Sequence, residues 1–146
     1  MQLYESQPED IEEGSNPRAA FAGCLVRLSG HDFMDFRRHA DGTTTGGSDA
    51  CINFNDPDNK GLAECITEFE LAKAYEQVCD RVSLADFIVI AGEAVMGRTA
   101  TSYNEEDYYG EGTFAKQLRE GFKSGRITNE NCDEPVGLMP NPELGC

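Results

Sequence analysis

The run from Leu84 to Met96 constrains this chain more than any other segment. Phe87, Ile88, Val89, Ile90, Ala91 and Val95 leave it almost no polar face. A helix that is apolar nearly all round belongs at the centre of its domain. Ser83, with Asp86 three residues on, gives it a capping-box-like start. The run is too short to cross a bilayer, which takes about 20 apolar residues, and Gly92 and Glu93 interrupt it. The expectation is a soluble chain, peripheral to a membrane at most. Its 146 residues suit one domain, and a hydrophobic share of 39% is enough to build a core.

The remaining elements are arranged around that helix. Residues 1–14 are acidic, carry Pro8 and Gly14, and read as an extended arm. Ser15-Asn16-Pro17 pairs a capping side chain with proline at the first helical position. Phe21, Cys24, Leu25 and Leu28 then mark one face of a helix expected to run to about Arg38. The Gly/Thr-rich stretch Asp41 to Ser48 must be a loop. Asn59 is expected to cap a second long helix reaching Cys79, with Leu62, Ile66, Phe69 and Ala72 on its buried side. Thr113 is expected to cap a further helix carrying Phe114, Leu118 and Phe122 and ended by Gly125. From Asn129 onward the chain reads as irregular. No repeat or sustained strand alternation is present, so the class is mainly α with long irregular loops.

A net charge of −15 excludes a nucleic-acid surface, which needs clustered Lys and Arg. The acid gathers at Glu5 to Glu13, Glu105 to Glu111 and Glu130 to Glu143, where it reads as solvated surface or, on a sharper reading, as attraction for a basic partner or for cations. The six cysteines (24, 51, 65, 79, 132 and 146) include no C-x-x-C pair, and there are only two histidines, so a structural zinc is not expected. An even count in a short chain points to disulfides and an oxidising compartment, with the choice among 15 connectivities left open. Met1 opens no recognisable targeting signal, which fits the cysteines if the chain is a processed product.

Arg27 and His31 are four positions apart and share a helix face. A neutral imidazole beside a guanidinium can handle a peroxide. The ring takes a proton from one oxygen while the fixed charge stabilises the negative charge that develops as the O–O bond breaks.

The surrounding motifs run in a telling order. Arg27-Leu28-x-x-His31-Asp32 is followed by Gly46-Gly47-Ser48-Asp49, Asp56-Pro57-Asp58-Asn59-Lys60-Gly61-Leu62 and Val82-Ser83-x-Ala85-Asp86-Phe87. Gly125-Arg126 and Gly137-Leu138-Met139-Pro140 come after them. In order and approximate spacing, from about Arg18 to Pro142, this resembles the distal half of the plant-type (non-animal) haem peroxidase superfamily. The likeness is strongest to peroxidase-like proteins of algae, other protists and marine invertebrates. It implies a peroxidase-like helical half-domain over residues 15–142, between the arm at 1–14 and a short tail at 143–146. It assigns Arg27 as the distal arginine, His31 as the distal acid–base histidine and Asn59 as the asparagine that hydrogen-bonds it. Asp86 matches a structural helix-cap aspartate, and Arg126 and Pro140 lie in the segments that run along the haem edge. Asp32, Gly47 and Asp49 fall at the positions of the distal calcium ligands, whose hard oxygens suit that ion.

Four departures bear on function. Gly30 stands where the family places a Phe or Trp over the haem, and Phe33 stands where secreted relatives often have cysteine. Cys51 replaces a serine that usually contributes to the calcium site, and a thiol is a poor ligand for it. The chain also stops before a segment that could supply the proximal histidine, and His39 follows His31 too closely to reach the other face of a haem. The sequence therefore suggests a non-catalytic binding or structural subunit of a larger assembly, photosynthetic or otherwise organellar. A protein partner would cover the missing half, in an organelle lumen (a plastid among them) or outside the cell. The alternative is a fragment of an active haem peroxidase reducing hydrogen peroxide with Arg27 and His31. A chance match in an unrelated acidic helical protein is the remaining reading.

Overall fold

The computed structural model describes residues 2–8, 16–104, 113–130 and 132. Its elements in chain order are α1 (Gln2–Ser6), α2 (Pro17–Met34), strands β1 (Arg37–Arg38) and β2 (Thr44–Thr45), a 3₁₀ turn (Pro57–Asn59), α3 (Leu62–Glu68), α4 (Leu71–Glu76), α5 (Leu84–Asn104) and α6 (Phe114–Glu120). The chain is mainly helical, as its periodicity predicts. Its only sheet among the described residues is the antiparallel pair Arg37 with Thr45 and Arg38 with Thr44.

Helix starts follow local capping. The Asn16 side chain accepts from the Ala19 N–H with Pro17 behind it, Ser83 Oγ accepts from the Asp86 N–H at 3.1 Å, and Thr113 Oγ1 accepts from Lys116. Each satisfies a donor the helix leaves open.

The core is the seam between α2 and α5, the largest contact between elements. Phe21, Leu25 and Leu28 of α2 are buried against Ile88 and Val95 of α5, with Ile52, Leu62, Phe69 and Leu71 closing the sides. The helices approach closely at Gly92, where any Cβ would collide with Ser29 Oγ. The central place expected for the 84–96 run holds on this side. Its other side is open, with Ile90 at 40% and Met96 at 45% exposure, and the helix continues to Asn104.

Helix ends depart from expectation. α2 stops at Met34, not near Arg38, because Asp35 turns inward and accepts the Gly47 N–H at 2.6 Å; the next residues then pair in the hairpin. No single helix runs from Asn59 to Cys79. Phe69 and Leu71 are both buried, yet residues two apart point about 200° from each other on a continuous helix. The chain resolves this by breaking at Glu70 (φ +51°), which separates α3 from α4. Phe69 thereby meets Phe21 edge-on, 5.2 Å between centroids. Nor does Asn59 cap a helix: Asp56 caps the 3₁₀ turn, and Asn59 points inward. α6 ends at Gly121, not Gly125. The arm at 1–14 is not wholly extended, since Gln2–Ser6 is helical and buries Tyr4 beside Phe21, with the Arg18 guanidinium over its ring.

Disulfides join Cys24 to Cys65 and Cys51 to Cys132. The first staples α2 to α3. The second ties the loop after β2 to the irregular segment after α6. Cys79 is exposed and in no disulfide, and Cys146 lies outside the described residues. The two bridges are consistent with the oxidising environment inferred from cysteine content. No helix among the described residues is long and apolar enough to cross a membrane.

Candidate functional site

On α2 the 3.6-residue period separates two faces. Phe21, Cys24, Leu25, Leu28 and Asp32 are buried, whereas Val26, Phe33 and Met34 are exposed at 40, 54 and 37%. Arg27, Gly30 and His31 sit with the exposed set, partly covered.

His31 Nδ1 lies 2.7 Å from Asn59 Oδ1, and Asn59 Nδ2 donates to the Asn53 carbonyl at 2.8 Å. Because the amide nitrogen is committed to Asn53, its oxygen faces the ring. Nδ1 must then carry the proton, and Nε2 is left with its lone pair. Asn59 is itself buried, in a loop built by Asp56 and Pro57. Arg27, one turn earlier, donates from Nη1 to the Lys60 carbonyl at 2.7 Å and from Nη2 to the Asp58 carbonyl at 2.8 Å. The three residues singled out as a distal catalytic set are therefore together.

Directly beneath, Asp32 is fully buried, and neither of its oxygens has a hydrogen-bond partner of good geometry. Burial pushes its pKa up to about 7, the neighbouring Asp49 and Asp35 carboxylates add to the rise, and backbone N–H groups of Ala50 and Asp49 offset part of it. Asp35 is raised as well, chiefly by burial, with the Gly47 N–H pulling the other way. Asp49 accepts from the Cys51 N–H at 3.0 Å and from Asn129 Nδ2 at 3.4 Å. The tight loop depends on glycine: Gly46 has φ +64°, and a Cβ there would sit 2.5 Å from Asp35 Oδ1.

Asp32, Gly47 and Asp49 thus belong to one locale, but their oxygens are not disposed as a finished metal shell. The Gly47 carbonyl accepts from the Asp49 N–H at 2.7 Å. No group of three or more His, Cys, Asp or Glu side chains among the described residues forms a ready metal cluster. Cys51 is in a disulfide and contributes no thiol. The two unpartnered Asp32 oxygens fit a hard cation, since burying a bare carboxylate is costly without a counter-charge.

Arg126 is not beside His31's partners. Its Nη1 bonds Asp86 Oδ1 at 2.8 Å, and the Gly125 N–H donates to Asp86 Oδ2 at 2.6 Å. Burial works to raise the Asp86 carboxyl, but these donors outweigh it and hold the pKa below the usual range. The expected helix-cap aspartate thus anchors the 125–126 segment by its side chain. Pro140 lies outside the described residues. His39 is on the hairpin, its Nε2 3.0 Å from Thr45 Oγ1.

The outer face of α2 presents exposed Val26, Phe33 and Met34 around Gly30. Gly30 leaves its centre low, with only the Met34 terminal methyl 3.4 Å from where a Cβ would stand. Arg27 and His31 flank it. Two participants escaped sequence reasoning. Asn53 acts through its carbonyl, which carries no residue-type signal. Asp35 had one available, an acid three residues after Asp32 and just before the Gly-rich loop.

Comparison with protein-family models, with curated proteins and with solved structures finds no match to this chain.

Proposed function

We propose that this chain is the distal half of a haem-peroxidase-like domain, in which His31 is an oriented proton acceptor for a hydroperoxide. The observation that carries the reading is the His31–Asn59–Asn53 series of hydrogen bonds. It fixes the imidazole tautomer with Nε2 open, as a general base for peroxide requires. The haem would lie on the α2 face bearing Gly30 and supply the redox chemistry of O–O cleavage. His39 is engaged with Thr45 on the hairpin and is given no part in holding the haem. Calcium is the ion this reading assigns to Asp32, Asp49 and the Gly47 backbone.

A second reading keeps the same ancestry without catalysis: a binding or structural subunit whose α2 face is covered by a partner in a larger assembly, photosynthetic or otherwise organellar. The exposed apolar set Val26, Phe33 and Met34 beside Gly30 favours it. Titration of the purified protein with haem in the presence of imidazole as a supplied iron ligand, followed by visible absorption, separates the two. A saturable Soret band that shifts with hydrogen peroxide in the wild type and not in His31→Ala supports the first reading. Absence of saturable haem binding refutes it.

A further inference from the structure

We infer that Arg27 is a positioning residue that holds Asn59 on His31, and is not a group that meets substrate. The inference rests on the proposed role of His31 as proton acceptor and gives Arg27 a different task from the one its motif implies. The guanidinium bonds the carbonyls of Asp58 and Lys60, the residues on either side of Asn59 in the chain. It therefore straddles Asn59 and pins the loop on both sides of it, at the 58–59 and 60–61 peptide groups.

Two features make this clamp effective. Arg27 and His31 stand one turn apart on α2, so clamp and imidazole are carried by the same rigid element. A shift of the helix carries both along, and the 2.7 Å contact between Asn59 Oδ1 and His31 Nδ1 is preserved. The guanidinium is also planar with its donors in a fixed fork, so it can satisfy two carbonyls at a set spacing, which an ammonium cannot do in one geometry. The loop's own backbone bonds are short-range: the Asn59 N–H donates to Asp56 and the Lys60 N–H to Pro57. Buried Leu62 and the Cys24–Cys65 bridge hold the helix that follows against α2, and Arg27 is the bond from α2 to the loop on either side of Asn59 itself.

The consequence is chemical. With Asn59 held, Nδ1 of His31 keeps its proton and Nε2 stays unprotonated in the neutral ring. With Asn59 released, the neutral ring is free to take the other tautomer, in which Nε2 carries the proton and cannot accept one.

The test is a long-range ¹H–¹⁵N correlation spectrum of the full chain, recorded where His31 is neutral, which reads the tautomer directly. The wild type is expected as the Nδ1–H form. Arg27→Met should convert a large part of the population to Nε2–H, and Arg27→Lys should restore only part of the wild-type signal. Asn59→Ala should give the same change as Arg27→Met, and the double variant no more than either. An unaltered tautomer in a folded Arg27→Met protein would overturn the inference, as would an Nε2–H wild type. If Arg27→Met does not fold, Arg27→Gln, which keeps one donor, is read in the same way. The spectrum needs no haem. A tautomer that responds in a protein with no affinity for haem leaves the clamp standing and removes the peroxidase reading; an unresponsive tautomer in a haem-binding protein does the reverse.

Discussion

Replacing Asp32 by Asn should stabilise the metal-free protein at neutral pH, and the gain should vanish in acid. Asp32 is fully buried below His31, and its pKa rises from 3.8 to about 7 on folding. A carboxyl with a raised pKa is tolerated while protonated. Stability is therefore lost as pH climbs from the unfolded value toward the folded one, and the loss is complete above about 7. Three units at about 1.4 kcal/mol each make the penalty roughly 4 kcal/mol, or roughly 10–15 °C in Tm for a chain of this length. Urea unfolding of both proteins in a chelator at pH 4.5, 6 and 8 measures it. Asn also changes hydrogen bonding, but that term is common to every pH, so the change in the gap between the two proteins isolates the charge. Calcium should close or invert the gap at pH 8, because a bound cation repays the buried charge in the wild type alone. Parallel curves for the two proteins from pH 4.5 to 8 would refute the argument.

Other perturbations test other parts. In a haem-loaded protein with an iron ligand supplied, His31→Ala should slow reaction with hydrogen peroxide by about 10²–10⁴-fold in stopped flow, and Arg27→Ala by the smaller factor set by the share of His31 that leaves the Nδ1–H tautomer; an unchanged rate in His31→Ala would remove the site. Asp86→Asn should cost about 2–3 kcal/mol near neutrality by weakening charge-assisted bonds to Gly125 and Arg126. Because the Asp86 pKa is lowered, that difference should disappear as pH falls through the acid range, opposite in sense to Asp32. Leu62→Ala, at a side chain 1% exposed, should cost about 2–5 kcal/mol in the same assay. Removing Cys24–Cys65, which closes 41 positions, should cost about 4 kcal/mol on chain-entropy grounds, seen as a lower urea midpoint in the Cys24→Ala/Cys65→Ala protein.

What could be read from the sequence divides along the range of the interactions concerned. Asn16, Ser83 and Thr113 announce helix starts because a cap acts within three or four residues. Helix ends differ from local expectation where a distant partner decides them: Asp35 stops α2 by bonding Gly47, and Gly125 serves Asp86 and does not end α6. The break at Glu70 follows from packing, since Phe69 and Leu71 must both be buried. Spacing alone puts Arg27 and His31 on one face, and Asn59 joins them through the resemblance. The carbonyls of Asn53, Asp58 and Lys60, which give that trio its geometry, belong to backbone any residue could supply. The disulfide pairing was undecidable from sequence and is settled only by which loops the core brings together.

The bridge from Cys51 to Cys132, with the Asn129 N–H donating to the Asp49 carbonyl at 2.8 Å, has a consequence for how the protein is made. Cys132 is translated 81 positions after Cys51, roughly 4–16 s later at ordinary elongation rates. During that interval α2 and α5 can emerge and pair, while the acid-lined loop still lacks its strap and its sulfur partner. Cys51 is then a thiol without its mate, among three other cysteines already synthesised. The α2–α3 staple becomes possible within 41 positions, which removes two of those competitors early. Faithful pairing at the second bridge thus depends on the order in which the ribosome delivers the cysteines.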